Sequence, residues 1–217
     1  MSVERVEVIA FDYGGVIAEF ISPEITQQMS HVVGAPHGRF VHALWEHRGG
    51  YDSGEHDAAE YWRLVIHDAV DQPPADIDGI IDRLLILDAT GWIRVRPQIV
   101  GWMQELKAAG YRLMLISNMA VATFDMALEP AAWMKHMDAL VVSGRVGANK
   151  PDRRIFDEAV SQAGVAPERI LFLDDLPHNV DGARAAGLSA VHFTDPARLA
   201  MSIGHEYPGI PVSALWV

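Results

Sequence analysis

The chain contains no cysteine. Disulfides, zinc–thiolate sites and thiol nucleophiles are thereby excluded, and the absence fits a cytoplasmic protein. Basic residues are scarce, with 17 Lys and Arg against 29 Asp and Glu and a formal charge of −12. Sequence-independent nucleic-acid binding needs a basic surface, so no nucleic-acid partner is expected. No uninterrupted apolar run reaches the ~20 residues needed to cross a bilayer. The first apolar run holds Glu4, Arg5 and Glu7, which is unlike a signal peptide. The expectation is a soluble intracellular protein with no membrane partner. Low-complexity segments and solenoid repeats are also missing. Two motifs are absent as well. Without Gly-x-Gly-x-x-Gly opening the first helix a dinucleotide-binding fold has no support, and without His-Glu-x-x-His a zinc site has none. Gly144 to Lys150 faintly suggests a P-loop, but the Gly–Lys spacing is wrong and Pro151 follows.

What is present is hydrophobic: half of the 217 residues are apolar. That is enough for a core, as one domain with an insertion or as two small domains. Val6 to Phe11 reads as a buried strand running into Asp12-Tyr13-Gly14-Gly15-Val16. A helical block of about Ile17 to Thr90 follows. Ser22-Pro23-Glu24 starts one helix, Gly38 to His47 forms a second, and Gly49 to Gly54 breaks the pattern. Asp57 to Ala69 resumes it, Pro73-Pro74 interrupts, and Ile77, Ile80, Ile81, Leu84 and Leu85 mark an amphipathic helix. From Arg96 the rhythm is β–α alternation. Pro97 opens a helix that Gly110 stops, Tyr111 to Ile116 is a strand, and Phe124 to Met137 is a helix that Pro130 must kink or divide. Leu140 to Val142 is a strand, and a helix opened by Lys150-Pro151-Asp152 closes at Gly164. Ile170 to Leu173 is a strand, a helix from about Asn179 stops at Gly187, and Ala190 to Phe193 is the last clear strand. Such alternation implies an α/β fold, a Rossmann-like parallel sheet with helices on both faces. Residues 1–16 and 91–217 form the core, and an α-helical cap, 17–90, is inserted over its C-terminal edge.

Four strand or loop ends deliver polar groups to that edge: Asp12, Ser117 with Asn118, Lys150, and Asp174 with Asp175. None is specific alone, since a strand-end Asp is often a turn residue. Together they bring three carboxylates near one lysine. Converging carboxylates repel and call for a cation, and oxygen ligands favour Mg²⁺ over zinc. A magnesium–lysine–hydroxyl site suits a phosphoryl group, with Asp12 as the nucleophile that forms an aspartyl-phosphate.

Four motifs carry a family resemblance: Phe11-Asp12-Tyr13-Gly14-Gly15-Val16, Leu115-Ile116-Ser117-Asn118, Gly147-Ala148-Asn149-Lys150-Pro151-Asp152 and Leu171-Phe172-Leu173-Asp174-Asp175-Leu176-Pro177-His178-Asn179. In order and spacing the chain resembles the haloacid dehalogenase superfamily, in its helical-cap phosphatase branch. The resemblance implies a Mg²⁺-dependent phosphatase of small phosphorylated metabolites, sugar phosphates among them. It makes Asp12 nucleophile and metal ligand, Gly14 a ligand through its carbonyl, Ser117 and Asn118 the phosphate loop, and Lys150 the bridge from nucleophile to phosphate. Asp175, with Asp174 beside it, becomes the acidic metal ligand, and Asn179 a weaker one through metal-bound water. Haloacid dehalogenation by the same Asp12, or a catalytically weakened binding module, are the alternatives.

Gly14 departs from the family pattern, which has Asp two residues after the nucleophile as general acid and base, work worth ~10²–10⁴-fold. Asp-x-Gly also occurs in sugar-1-phosphate phosphatases that this chain resembles. Its presence predicts either a preference for phosphates with acidic leaving groups or a proton from elsewhere, with His178, His42 and His47 as candidates. Arg39, His42, Arg48, Tyr51, Trp45 and Trp62 are candidates for the pocket wall.

Overall fold

The structure is a computed structural model and describes residues 6–216. Five strands form one parallel sheet: β1 (Val8–Phe11), β2 (Arg112–Ser117), β3 (Ala139–Val142), β4 (Ile170–Asp174) and β5 (Ser189–His192), in the order β3-β2-β1-β4-β5. Every residue of β1 and β4 is buried, as expected of strands covered on both faces. Their side chains alternate between two cores. Val8, Ala10, Ile170 and Phe172 belong to one, Ile9, Phe11, Leu171 and Leu173 to the other. The chain places β2 on one side of β1 and β4 on the other. The C-terminal tip of β1 is therefore the switch point where open α/β sheets bind ligands.

Between β1 and the second half of the sheet lie α1 (Pro23–Val33), α2 (His37–Glu46), α3 (Arg48–Ser53), α4 (Ala58–Ala69) and α5 (Ile77–Gly91). They bury a cluster of their own around Met29, Phe40, Tyr61, Trp62 and Leu84. Local signals set their ends. Pro23 opens α1 and Gly34, at φ 77°, closes it. Asp57 and Glu60 close a reciprocal capping box at α4, satisfying two otherwise orphaned amides. The chain leaves and re-enters the sheet unit side by side: Ala18 bridges Val95, and Arg96 N donates to Ile17 O at 2.8 Å.

The sheet is covered by α6 (Pro97–Ala108), α7 (Val121–Thr123) running into a π-helical turn (Phe124–Leu128), α8 (Ser143–Val146), α9 (Arg153–Ala163), α10 (Pro177–Ala185) and α11 (Pro196–Glu206). Short 3₁₀ turns lie at Ala132–His136, Pro167–Arg169 and Ser213–Trp216. No helix among the described residues is long and apolar enough to cross a membrane.

Two local readings change. Gly49 to Gly54, expected as a break, contains α3. Two helical glycines cost ~1 kcal/mol each, and tertiary contacts offset this: Tyr51 stacks on Tyr61 at 4.3 Å, and Arg48, paired with Asp52 one turn on, also meets Asp88 at 2.9 Å. Of the two outcomes expected at Pro130, division is the one that occurs, with Phe124–Leu128 before it and Ala132–His136 after. Ser143–Val146 and Pro196–Glu206 are helical although no helix was expected there.

Candidate active site

Asp12 follows β1 directly, and its amide continues the ladder by donating to Leu173 O at 2.8 Å. Its side chain is almost buried, and Oδ1 accepts from Tyr13 N at 2.6 Å and pairs with Lys150 Nζ at 2.7 Å. Oδ2 has no partner among the described residues. Burial pushes the Asp12 carboxyl up to about 7, with Lys150 opposing and Asp174 adding to the shift. Burial also works against the charge of Lys150, but Asp12 and Asp174 outweigh it and raise the lysine. A single ammonium is thus shared between two buried carboxylates.

Lys150 spends all three N–H donors on protein, reaching Asp12 Oδ1, Asp174 Oδ2 at 2.7 Å and Ile116 O at 3.0 Å. Asn118 holds its backbone from both ends, accepting from Lys150 N at 2.7 Å and donating to Lys150 O at 3.1 Å. Ser117, at the end of β2, is buried, and its hydroxyl engages no protein group among the described residues. Asp174 is wholly buried. Besides Lys150, Leu176 N donates to its Oδ1, and Asn179 Nδ2 donates to both of its oxygens.

Asp175 lies against Gly15. A Cβ on Gly15 would stand 2.5 Å from the Asp175 carboxyl carbon, and φ there is +83°, a backbone that suits glycine alone. Burial, then the charge of Asp174, raises Asp175.

Oxygens of Asp12, Asp174 and Asp175 lie within 4.8 Å of one another. Three carboxylates against one ammonium leave an excess of negative charge that a divalent cation would balance. The donors are hard oxygens, as magnesium prefers. The Gly14 carbonyl accepts no hydrogen bond among the described residues, and the buried Oδ1 of Asn179 has no partner. These residues fit a hydrated magnesium ion. Asp174 is the weakest donor of the set because both its oxygens are already engaged.

Above them is a cavity of about 210 Å³ whose floor holds Asp12, Ser117, Asn118, Lys150, Asp175 and Asn179. Its roof comes from the helical block and its margins: Phe20, Trp45, Arg48, Asp52 and Trp92. Larger grooves, of about 490 Å³ between α1 and α5 and about 550 Å³ beside α4, gather no such set of groups. Of the expected wall residues, Arg48 and Trp45 line the cavity. Arg39 instead pairs with Asp71, Tyr51 stacks on Tyr61, and Trp62 lies in the helical core. None of the three candidate histidines lines it: His42 and His178 are exposed, and His47 pairs with Asp68 at 2.8 Å.

The sequence reading missed Phe20, Asp52 and Trp92. Asp52 was hidden in a glycine-rich segment read as a break. The available signal was the i,i+4 spacing of Arg48 and Asp52, which makes an ion pair only on a helix.

The sequence signature of the haloacid dehalogenase-like hydrolases matches residues 6–187. A phosphatase of Mycobacterium tuberculosis, MT3486, is 25% identical over 199 residues, covering 85% of this chain and 86% of that protein. The phosphoserine phosphatase of Thermus thermophilus is 35% identical over 96 residues, which span 44% of this chain and only 39% of that enzyme. Among solved structures, the haloacid dehalogenase family enzyme bt-2542 of Bacteroides thetaiotaomicron superposes with a TM-score of 0.73 at 16% identity, covering 88% of this chain and 95% of that one. That enzyme has also been solved with magnesium and inorganic phosphate. The structural likeness is one of fold. The sequence match, in contrast, runs from the strand that delivers Asp12 to the glycine that follows α10, and the chain belongs to the haloacid dehalogenase-like hydrolases.

Proposed function

We propose that this hydrolase is a Mg²⁺-dependent phosphatase of small phosphorylated metabolites. The observation that carries the reading is Asp12: it lines the cavity with Ser117, its Oδ2 and the Ser117 hydroxyl have no partner among the described residues, and it belongs to a carboxylate cluster short of positive charge. Oδ2 attacks phosphorus and the bond to the leaving oxygen breaks, giving an aspartyl-phosphate. Water then attacks phosphorus, releasing phosphate and restoring Asp12. The Ser117 hydroxyl donates to a phosphoryl oxygen, and Lys150 holds Asp12 in line while Asp174 and Asn118 hold Lys150. Asp12, the Gly14 carbonyl and Asp175 would hold the cation, and the unpartnered Asn179 Oδ1 would serve its hydration. When bound, magnesium neutralises the phosphoryl oxygens. The M. tuberculosis and T. thermophilus relatives, both phosphatases, support this reading.

The helical block 17–90 serves as a cap. A cavity of about 210 Å³ falls below the ~300–1,000 Å³ of typical ligand pockets, so the substrate is small. A compact sugar phosphate suits it, with the ring's C–H face against Trp45 and Trp92 and a hydroxyl near Arg48. The test is phosphate release from sugar 1-phosphates, acetyl phosphate and p-nitrophenyl phosphate, with Mg²⁺, with chelator, and in Asp12→Asn. Release that needs both Mg²⁺ and Asp12 is expected. Metal-independent release of halide from a haloacid, with no phosphate release, would replace this reading with dehalogenation.

A further inference from the structure

We propose that Asp52, reaching down from α3, supplies the proton that Gly14 cannot. The proposal rests on the phosphatase reading and names a catalytic residue for it. The usual place for the acid is closed: a Cβ on Gly14 would lie 3.1 Å from the Trp92 ring, so indole fills the space a carboxylate would need. The proton therefore comes from another wall.

The titratable groups lining the cavity are Asp12, Tyr13, Arg48, Asp52, Lys150 and Asp175. Asp12 is the nucleophile, and Asp175 belongs to the cation. The Tyr13 hydroxyl donates to Trp92 O, and Lys150 has no donor to spare. Arg48 does not release a proton in a protein. Asp52 remains.

Its placement is specific. Oδ1 accepts from Arg48 Nε at 2.9 Å and from Ala120 N at 3.2 Å, three residues beyond Ser117, while Oδ2 has no partner among the described residues. The Ser143 hydroxyl joins the Asp52 carbonyl to Met119 N. This aspartate of the helical block is thus tied by two routes to the loop that carries the phosphate-binding hydroxyl. It is also short of positive charge. Arg48 is shared with Asp88, which it meets at 2.9 Å, and the other ionisable groups around Asp52 are Tyr51 and Tyr61. Burial first, then Asp88, pushes the Asp52 carboxyl up to about 6 against the pull of Arg48, a value suited to a general acid near neutrality.

The step balances. As Asp12 Oδ2 bonds to phosphorus and the ester P–O bond breaks, protonated Asp52 gives its proton to the leaving oxygen. The Asp52 carboxylate then takes a proton from the water that attacks phosphorus, which frees phosphate and regenerates both aspartates.

The experiment uses p-nitrophenyl, phenyl and benzyl phosphate, a series of falling leaving-group acidity, with Mg²⁺ present. The wild-type kcat/KM is expected to vary little across the series. Asp52→Asn should lose about 10²-fold or more on benzyl phosphate and far less on p-nitrophenyl phosphate, with a burst of p-nitrophenolate stoichiometric with enzyme. In Asp88→Asn the alkaline limb of kcat/KM should move to lower pH, because Arg48 then serves Asp52 alone. A steep wild-type dependence, equal losses in Asp52→Asn on all three esters without a burst, or an unmoved limb in Asp88→Asn overturns the assignment. A wild-type chain that hydrolyses none of the three overturns the phosphatase reading and this proposal with it.

Discussion

Replacing Gly15 with alanine separates the architecture of the site from the stability of the fold. The new Cβ would lie 2.5 Å from the Asp175 carboxyl carbon and from one of its oxygens. An ordinary contact is near 3.4 Å, so the carboxylate must move by about 1 Å. The backbone term is small: alanine at φ +83° costs ~1–2 kcal/mol, and the stiffer unfolded chain returns ~0.4–1 kcal/mol. The carboxylate is the end of a side chain with room toward the cavity, so its movement adds little. The net loss is ~0–2 kcal/mol, a fall of at most ~8 °C in thermal midpoint for a chain this long. Function responds more strongly. A 1 Å misplacement in a catalytic array costs ~10²-fold, and a disturbed metal environment raises the metal requirement ~10–100-fold. Calorimetry, together with Mg²⁺ titration of phosphate release, measures both quantities. A Gly15→Ala enzyme with wild-type rate at the wild-type Mg²⁺ requirement would refute the placement of Asp175 at the cation.

Other outcomes follow from the same geometry. Lys150→Met leaves Asp12 and Asp174 facing each other, buried and unneutralised. Breaking a buried pair in this way costs ~3–5 kcal/mol, seen as a lowered thermal midpoint at pH 8, and a change under 1 kcal/mol would contradict the shared-ammonium account. Asp12 and Asp52 have folded pKa values raised from 3.8 to about 7 and about 6, so the folded state binds these protons more tightly than the unfolded chain. Their contribution to stability therefore grows as pH falls through 7 toward 4, and it disappears above 7. The metal-free midpoint should rise from pH 8 to pH 5.5, less so in Asp12→Asn and less so with Mg²⁺, and a wild-type decrease over that window would exclude it. Trp45→Ala, at the cavity rim, should raise KM severalfold while lowering kcat less, the pattern of lost uniform binding. A fall confined to kcat would remove Trp45 from the binding surface.

The elements that formed as read are those whose determinants are local. The alternating strands, Pro23 and Pro97 at helix starts, and Gly110, Gly164 and Gly187, in left-handed conformation, just past helix ends are set by backbone sterics and the period of apolar residues, both written in the chain. Asp195-Pro196 at the start of α11 is a signal of the same kind, and it was legible but unread. The motif residues Asp12, Ser117, Lys150 and Asp175 were legible for a related reason: a parallel sheet brings its strand ends to one edge whatever the helices do.

Tertiary structure decided what depends on groups far apart in sequence. Helix α3 forms through glycines because Tyr51 and Arg48 find Tyr61, Asp52 and Asp88. Asn118 turned out to hold the Lys150 backbone, and Asp174 to hold the ammonium, because hydrogen-bond directions are fixed only once the loops meet. Trp92 fills the space beside Gly14 from 78 positions along the chain. The sequence by itself determined the sheet, the edge where the motif residues gather, and the family. Packing of α3 and Trp92 against that edge determined which side chains line the cavity above it, because that depends on distances and desolvation that no linear spacing contains.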